Sequence, residues 1–136
     1  MWKKKVTVCL LIILVFTACS SHSNFELRGE VDEVKISAFQ EFSTLNEDYH
    51  IFFEDKESIK IFVDAIENSS PISGVVDMPK GDYDLLLSFN GGDSEGFHLW
   101  ISETHPTGVI MKIEDTTTAY ELTESSRSEI LSLLSK

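Results

Sequence analysis

The chain has 136 residues, 23 acidic against 11 basic side chains, and a formal net charge of −12. That length suits one domain around one hydrophobic core, and so acidic a balance excludes the basic footprint that nucleic-acid binding needs. Both cysteines, Cys9 and Cys19, lie near the start, so everything after Cys19 lacks a disulfide, a Cys-based metal site or a Cys nucleophile.

Lys3, Lys4 and Lys5 form a basic opening, Val6 to Phe16 an apolar run, and Thr17-Ala18 a small-residue step before Cys19. This is the three-part grammar of a secretory signal. The apolar run is far shorter than the ~20 residues a spanning helix needs. The stretch Leu14-Val15-Phe16-Thr17-Ala18-Cys19-Ser20 looks like a bacterial lipoprotein signal: an aliphatic residue, two small residues, then Cys. That pattern implies cleavage after Ala18 and a diacylglyceryl group on Cys19. Phe16 stands where Leu is usual. An ordinary signal with a chance cysteine, or an uncleaved anchor, is the competing reading. Two acyl chains hold a protein on a bilayer, whereas one does so only marginally. The expected organisation is a signal peptide over 1–18, a lipidated Cys19 with a flexible tether to residue 25, and one globular domain over 26–136. Loss of the three leader lysines would leave that domain more acidic still, so it would stand off anionic lipid.

Beyond the tether, Phe25 to Phe42 reads as one or two strands, with period-two alternation clearest at Val34-Lys35-Ile36-Ser37-Ala38. Tyr49-His50-Ile51-Phe52-Phe53 reads as a short strand. Asp55 is a helix N-cap, and Ile59, Phe62, Val63 and Ile66 recur with helical spacing. Asn68-Ser69-Ser70-Pro71 ends that helix. A loop follows, in which Val75-Val76-Asp77-Met78 suggests an edge pairing. Tyr83, Leu85, Leu87 and Phe89 alternate with Asp84, Leu86 and Ser88, and Asn90 to Gly96 reads as a turn. Phe97, Leu99 and Ile101 then alternate with His98, Trp100 and Ser102. Strands over 109–113 and 119–122 complete an antiparallel meander. Thr123 caps a closing helix with Ile130, Leu131, Leu133 and Leu134 on one face. The predicted fold class is α+β: an antiparallel meander with two helices packed on one face.

Four stretches carry a family likeness: Ser58-Ile59-Lys60-Ile61-Phe62 with Ala65-Ile66, Asp82-Tyr83-Asp84-Leu85, Phe97-His98-Leu99-Trp100-Ile101, and Thr118-Ala119-Tyr120-Glu121-Leu122. Together they resemble the YhfM-like lipoproteins of Bacillus and related bacteria, over roughly Tyr49 to Leu134. The resemblance implies a small lipid-anchored domain on the outer face of the cell membrane. It carries over no catalytic or binding residue.

The residues themselves offer little chemistry. His50, His98 and His105 are widely spaced, with no helical His-x-x-x-His pair for a metal. Asn90 to Gly96 misses the spacing of a calcium loop. Among so many acids, chance carboxylate pairs carry no signal, and no Gly-x-Ser-x-Gly elbow marks a nucleophilic serine. No pattern asks for a cofactor or a metal. Trp100 is the suggestive residue. If Phe97, Leu99 and Ile101 face the helices, then Trp100 and His98, joined by Leu86 and Ile110 on neighbouring strands, would form an apolar patch on the other face. Reversed registry, or cover from N-terminal strands, would remove it. The expected function is a lipid-anchored binding or regulatory domain for an envelope protein or component. The alternatives are an envelope enzyme or metal-handling lipoprotein using His and carboxylates, and a structural envelope protein. Exposure of Trp100 would favour the first, convergence of His50, His98 and an acid the second, and a sheet covered on both faces with scattered histidines the third.

Overall fold

Period-two alternation in the chain builds one seven-stranded antiparallel sheet. The computed structural model describes residues 25–74, 77–104 and 106–136. The leader, Cys19 and its tether, Val75-Val76 and His105 lie outside those residues. The elements in chain order are β1 (Val31–Ala38), β2 (Ile51–Phe53), α1 (Lys56–Glu67), β3 (Ser70–Pro71), β4 (Tyr83–Phe89), β5 (Ser94–Trp100), β6 (Val109–Lys112), β7 (Ala119–Glu121) and α2 (Glu124–Leu134). Among the described residues no helix is long and apolar enough to cross a membrane.

The strand order is β2-β1-β4-β5-β6-β7-β3. β4 to β7 form the expected meander. The first three strands do not continue it. β1 pairs with β4 in the middle of the sheet, while β3 pairs with β7 at the far edge. α1 makes that crossing, because it links the β2 edge to the β3 edge. Both edges are short, and β3 holds Pro71. Such edges offer little template for further pairing.

Each helix begins where a side chain satisfies free backbone donors. Asp55 accepts the Ser58 N–H at 2.9 Å, and Thr123 accepts the Ser126 N–H at 3.1 Å. Ile59, Phe62, Ala65 and Ile66 of α1 and Ile130 of α2 are buried. They join Val34, Ile36, Leu85, Leu87, Phe97 and Leu99 in one core cluster. Both helices therefore pack on the same face of the sheet, called the inner face here.

Several expectations need correction. Of Phe25 to Phe42, only Val31–Ala38 is strand. Phe39 turns off the sheet, and residues 39–50 cross its other face before β2 begins. β5 starts at Ser94, so the turn is shorter than Asn90 to Gly96. It closes through the Phe89 N–H to the Asp93 carbonyl at 2.9 Å, with Gly92 at φ +95°. The Ile110 placement fails on registry. Leu99 lies opposite Ile110, and Trp100 opposite Val109. Directly paired antiparallel residues share a face, so Ile110 belongs to the inner core.

The outer face is also covered. Trp100, Val109, Met111 and Ala119 form a second buried cluster, with Ile72 and Met78 packed on it. Two segments supply the cover: residues 39–50 between β1 and β2, and, from the connection between β3 and β4, Ile72 and residues 78–81.

Candidate functional site

The β4–β5 hairpin decides what lies under the cover. Its register places Asp84 directly opposite His98. Both are fully buried on the outer face. His98 Nδ1 and Asp84 Oδ1 are 2.7 Å apart. His98 Nε2 accepts the backbone N–H of Ser43 at 3.2 Å. An imidazole nitrogen that accepts carries no proton, so Nδ1 holds it and donates to Asp84. Asp84 Oδ2 accepts the Asn46 N–H at 2.9 Å. The Ser37 hydroxyl donates to the Asn46 carbonyl at 2.6 Å, and Asn46 Nδ2 donates to the Ala38 carbonyl at 2.8 Å.

A polar network thus pins residues 43–46 to the sheet. Apart from the His98–Asp84 bond, which joins β5 to β4, each bond runs from the sheet strands β1, β4 and β5 to the covering segment. Ser43 sits at the tip with φ +61°, the one positive-φ non-glycine residue among the described residues. Tyr49 closes the far end of the segment. Burial first, then the charges of Glu47 and Asp84, push its phenol pKa up.

Aromatic rings surround the pin. Phe39 meets the His98 ring at 4.9 Å, nearly edge-on. Phe42 stacks on Trp100, with centroids 6.0 Å apart and planes 28° apart. Trp100 Nε1 donates to the Pro79 carbonyl at 2.8 Å. Phe39 is wedged closely, since a Cβ on Gly81 would come within 2.6 Å of Phe39 Cδ2. Trp100 is only 2 % exposed, whereas Phe42 is 42 % exposed. Among the described residues, Phe42 and Phe52 are the large apolar side chains that are exposed rather than buried or half-buried.

The expected patch therefore resolves into parts. Trp100 and His98 do come together, with ring centroids 6.2 Å apart, but beneath Phe39 and Phe42 rather than open to solvent. Leu86 is half-buried on the same face, two residues along β4 from Asp84, between Lys35 and Gly96. Ile110 is on the other face. His50 is exposed and does not join His98. The acids of the hairpin have separate partners. Asp82 accepts the Ile101 and Ser102 N–H groups at 2.7 and 3.0 Å, and Glu95 pairs with Lys112 at 2.7 Å. Among the described residues no three His, Cys, Asp or Glu side chains are grouped to hold a metal ion.

Sequence reasoning missed Phe42, Ser43, Asn46 and Ser37. A signal for the central pair was present. A tight turn at Asn90-Gly91-Gly92-Asp93 fixes the hairpin register, and that register sets Asp84 across from His98. Nothing local shows that residues 39–46 fold back over them.

The family model of the YhfM protein matches residues 31–136. The chain belongs to the YhfM family. The matched span runs from the start of β1 to the C-terminal residue, and so includes the whole pin. No curated protein sequence matches the chain. A solved structure, a thioesterase-like protein from Clostridium sporogenes, is similar with a TM-score of 0.59 at 15 % identity, covering 76 % of this chain and 93 % of that one. At that identity the likeness is one of fold.

Chemically, an imidazole held by a carboxylate and facing a serine has the outline of a nucleophile, base and orienting acid. Here the serine reaches the ring with its backbone amide, not its hydroxyl. Both ring nitrogens are therefore already engaged, Nε2 with the cover and Nδ1 with Asp84.

Proposed function

We propose that this chain is a lipid-anchored domain on the extracytoplasmic face of the cell membrane, acting as a binding or regulatory module for an envelope protein or component. The anchoring half rests on the leader, with Cys19 as the lipidated residue. The binding half rests on one observation. The His98–Asp84 pair, the group best suited to catalysis, is buried, and it fastens residues 43–46 through His98 Nε2 and Asp84 Oδ2 while Nδ1 and Oδ1 hold each other. What remains to act is a surface. Cys19→Ala tests the anchor. The variant is expected in the soluble extracytoplasmic fraction, or as an unprocessed precursor. Retention at the membrane in mature, cleaved form would overturn the anchor.

One observation favours a second reading, an envelope hydrolase acting on acyl esters or thioesters. Ser43, His98 and Asp84 lie in line, on a fold similar to that of a protein described as thioesterase-like. In that reading the Ser43 hydroxyl would have to replace its own amide at Nε2. Incubating the purified full chain with acyl-thioester substrates decides the matter. Turnover lost in both Ser43→Ala and His98→Ala would establish the hydrolase, and its absence leaves the binding module.

A further inference from the structure

Phe25, the first residue of the structure, is already buried in the inner core. Its ring meets Phe97 of β5 at 5.6 Å and Tyr120 of β7 edge-on at 5.2 Å. The Lys112 ammonium, from β6 between them, lies 4.3 Å from its centroid and is itself paired with Glu95 at 2.7 Å. Two ring contacts and a cation over the face make this a specific seat. Leu27 packs on the same core, and the Glu30 carbonyl accepts the Asn90 N–H at 2.8 Å. Residues 25–30 are thus fastened to the inner face before β1 begins.

That seat shortens the link to Cys19. Cys19 to Asn24 is six residues, which span at most ~20 Å when fully extended. Were the chain unfastened as far as Gly29, eleven residues would reach ~36 Å. In the strand order, β2 lies four strands from β6, or ~19 Å at the usual strand spacing. The link is therefore no longer than the sheet is wide. Turning the β2 edge toward the lipid would need the link stretched to its limit around the domain, with the loss of conformational freedom that stretching brings. Charge does not oppose this arrangement with a lipid-binding patch at the seat. One small cavity there groups Arg28 with Asp93, Glu95 and Glu114, and Lys112 is taken by Glu95, which leaves no basic surface for anionic headgroups.

We infer that the domain hangs from the inner face over β6, with that corner toward the bilayer and the β2 edge outermost. The inference rests on the lipid anchor of the proposed function. It names the surface that meets the membrane and the edge left open to a partner. Exposed His50 and Phe52 lie on that outer edge.

The experiment is energy transfer from a labelled cysteine to acceptor-labelled headgroups, with the lipidated protein, as isolated from membranes, in zwitterionic phospholipid vesicles. Cys9 leaves with the leader and the Cys19 sulfur carries lipid, so one added cysteine takes one label. Glu114→Cys marks the corner beside the seat and His50→Cys the β2 edge; both positions are exposed. Transfer should be about twofold or more stronger from Glu114→Cys, because the two heights differ by up to the ~19 Å between β6 and β2. Adding Phe25→Ala should lengthen the link, lower transfer from Glu114→Cys and shrink the contrast. Melting curves confirm that each variant is folded. Equal transfer from the two positions, or stronger transfer from His50→Cys, would overturn the inference and leave the anchor standing. An unchanged contrast in folded Phe25→Ala would overturn the seat as its cause. Failure of the protein with Cys19 intact to float with the vesicles, as Cys19→Ala should fail, would overturn the anchor and this inference with it.

Discussion

At the scale of single residues, Asp84 is the keystone of the outer face. Its two oxygens accept from two donors on different elements, the His98 ring and the Asn46 amide. An ionised carboxylate only accepts, whereas an amide side chain accepts at one atom and donates at the other. Asp84→Asn therefore preserves shape and still fails, because either orientation sets an NH2 group against a donor. His98→Ala fails differently, leaving a buried carboxylate without the donor that its Oδ1 accepts from. Losing a buried hydrogen bond to a charged group costs about 1.5–3 kcal/mol. Chemical denaturation should show losses of that order for His98→Ala and a clear loss for Asp84→Asn. The double variant His98→Ala with Asp84→Ala should lose much less than the two singles together, since the second change removes the stranded charge. Additive losses would mean that the two side chains stabilise the fold independently.

At the scale of elements, the helices were the most legible part of the sequence and the strand order the least. Asp55 and Thr123 cap where the sequence places them, and Ile59, Phe62 and Ile66 face the core with their expected spacing. These signals are local: a cap and its helix span a few residues. The placement of β3 beside β7 instead joins Ser70 to Glu121, and no local pattern encodes that pairing. Ile110 shows a second limit. Strand periodicity is two, so a one-residue error in register moves a side chain to the opposite face. The fold-back of residues 39–46 was hidden for a third reason. Its contacts are hydrogen bonds from Ser43 and Asn46 to groups far along the chain, and a polar loop sequence looks alike whether it is exposed or pinned.

Helix packing yields its own prediction. Phe62 is fully buried and its ring lies 5.4 Å from that of Phe53. Phe62→Ala should cost about 3–5 kcal/mol through lost burial and the cavity left behind. Thr123→Ala removes the acceptor for the Ser126 N–H and the donor to the exposed Ser126 hydroxyl, and should cost about 1 kcal/mol. Thermal melts should therefore rank Phe62→Ala well below Thr123→Ala, and Thr123→Ala slightly below wild type. A reversed order would mean that α2 depends on its cap more than α1 depends on its core contacts.

At the scale of the whole molecule, the acidic balance and the local hydrogen bonds make opposite demands on pH. A net charge of −12 repels itself, and acid relieves that repulsion. Local bonds favour the ionised form. Asp55 accepts from the Ser58 backbone amide and hydroxyl, and Asp115 from the Thr117 hydroxyl and backbone amide; both carboxyls are held below their ordinary value of 3.8. A carboxyl whose folded value is depressed contributes fully above the unfolded value. That contribution disappears as pH falls from there through the lower folded value. At the alkaline end Tyr49 acts in the opposite sense. Its phenol is raised above 10.0 by burial and by Glu47 and Asp84, so the unfolded chain releases that proton first and stability falls as pH rises past that value. Ionisation there also adds to the existing negative charge. Melting temperature should accordingly hold level between about pH 5 and 9 and fall on both sides. A sharp maximum in mild acid, where the net charge vanishes, would instead mean that self-repulsion outweighs the caps and turns that these aspartates hold.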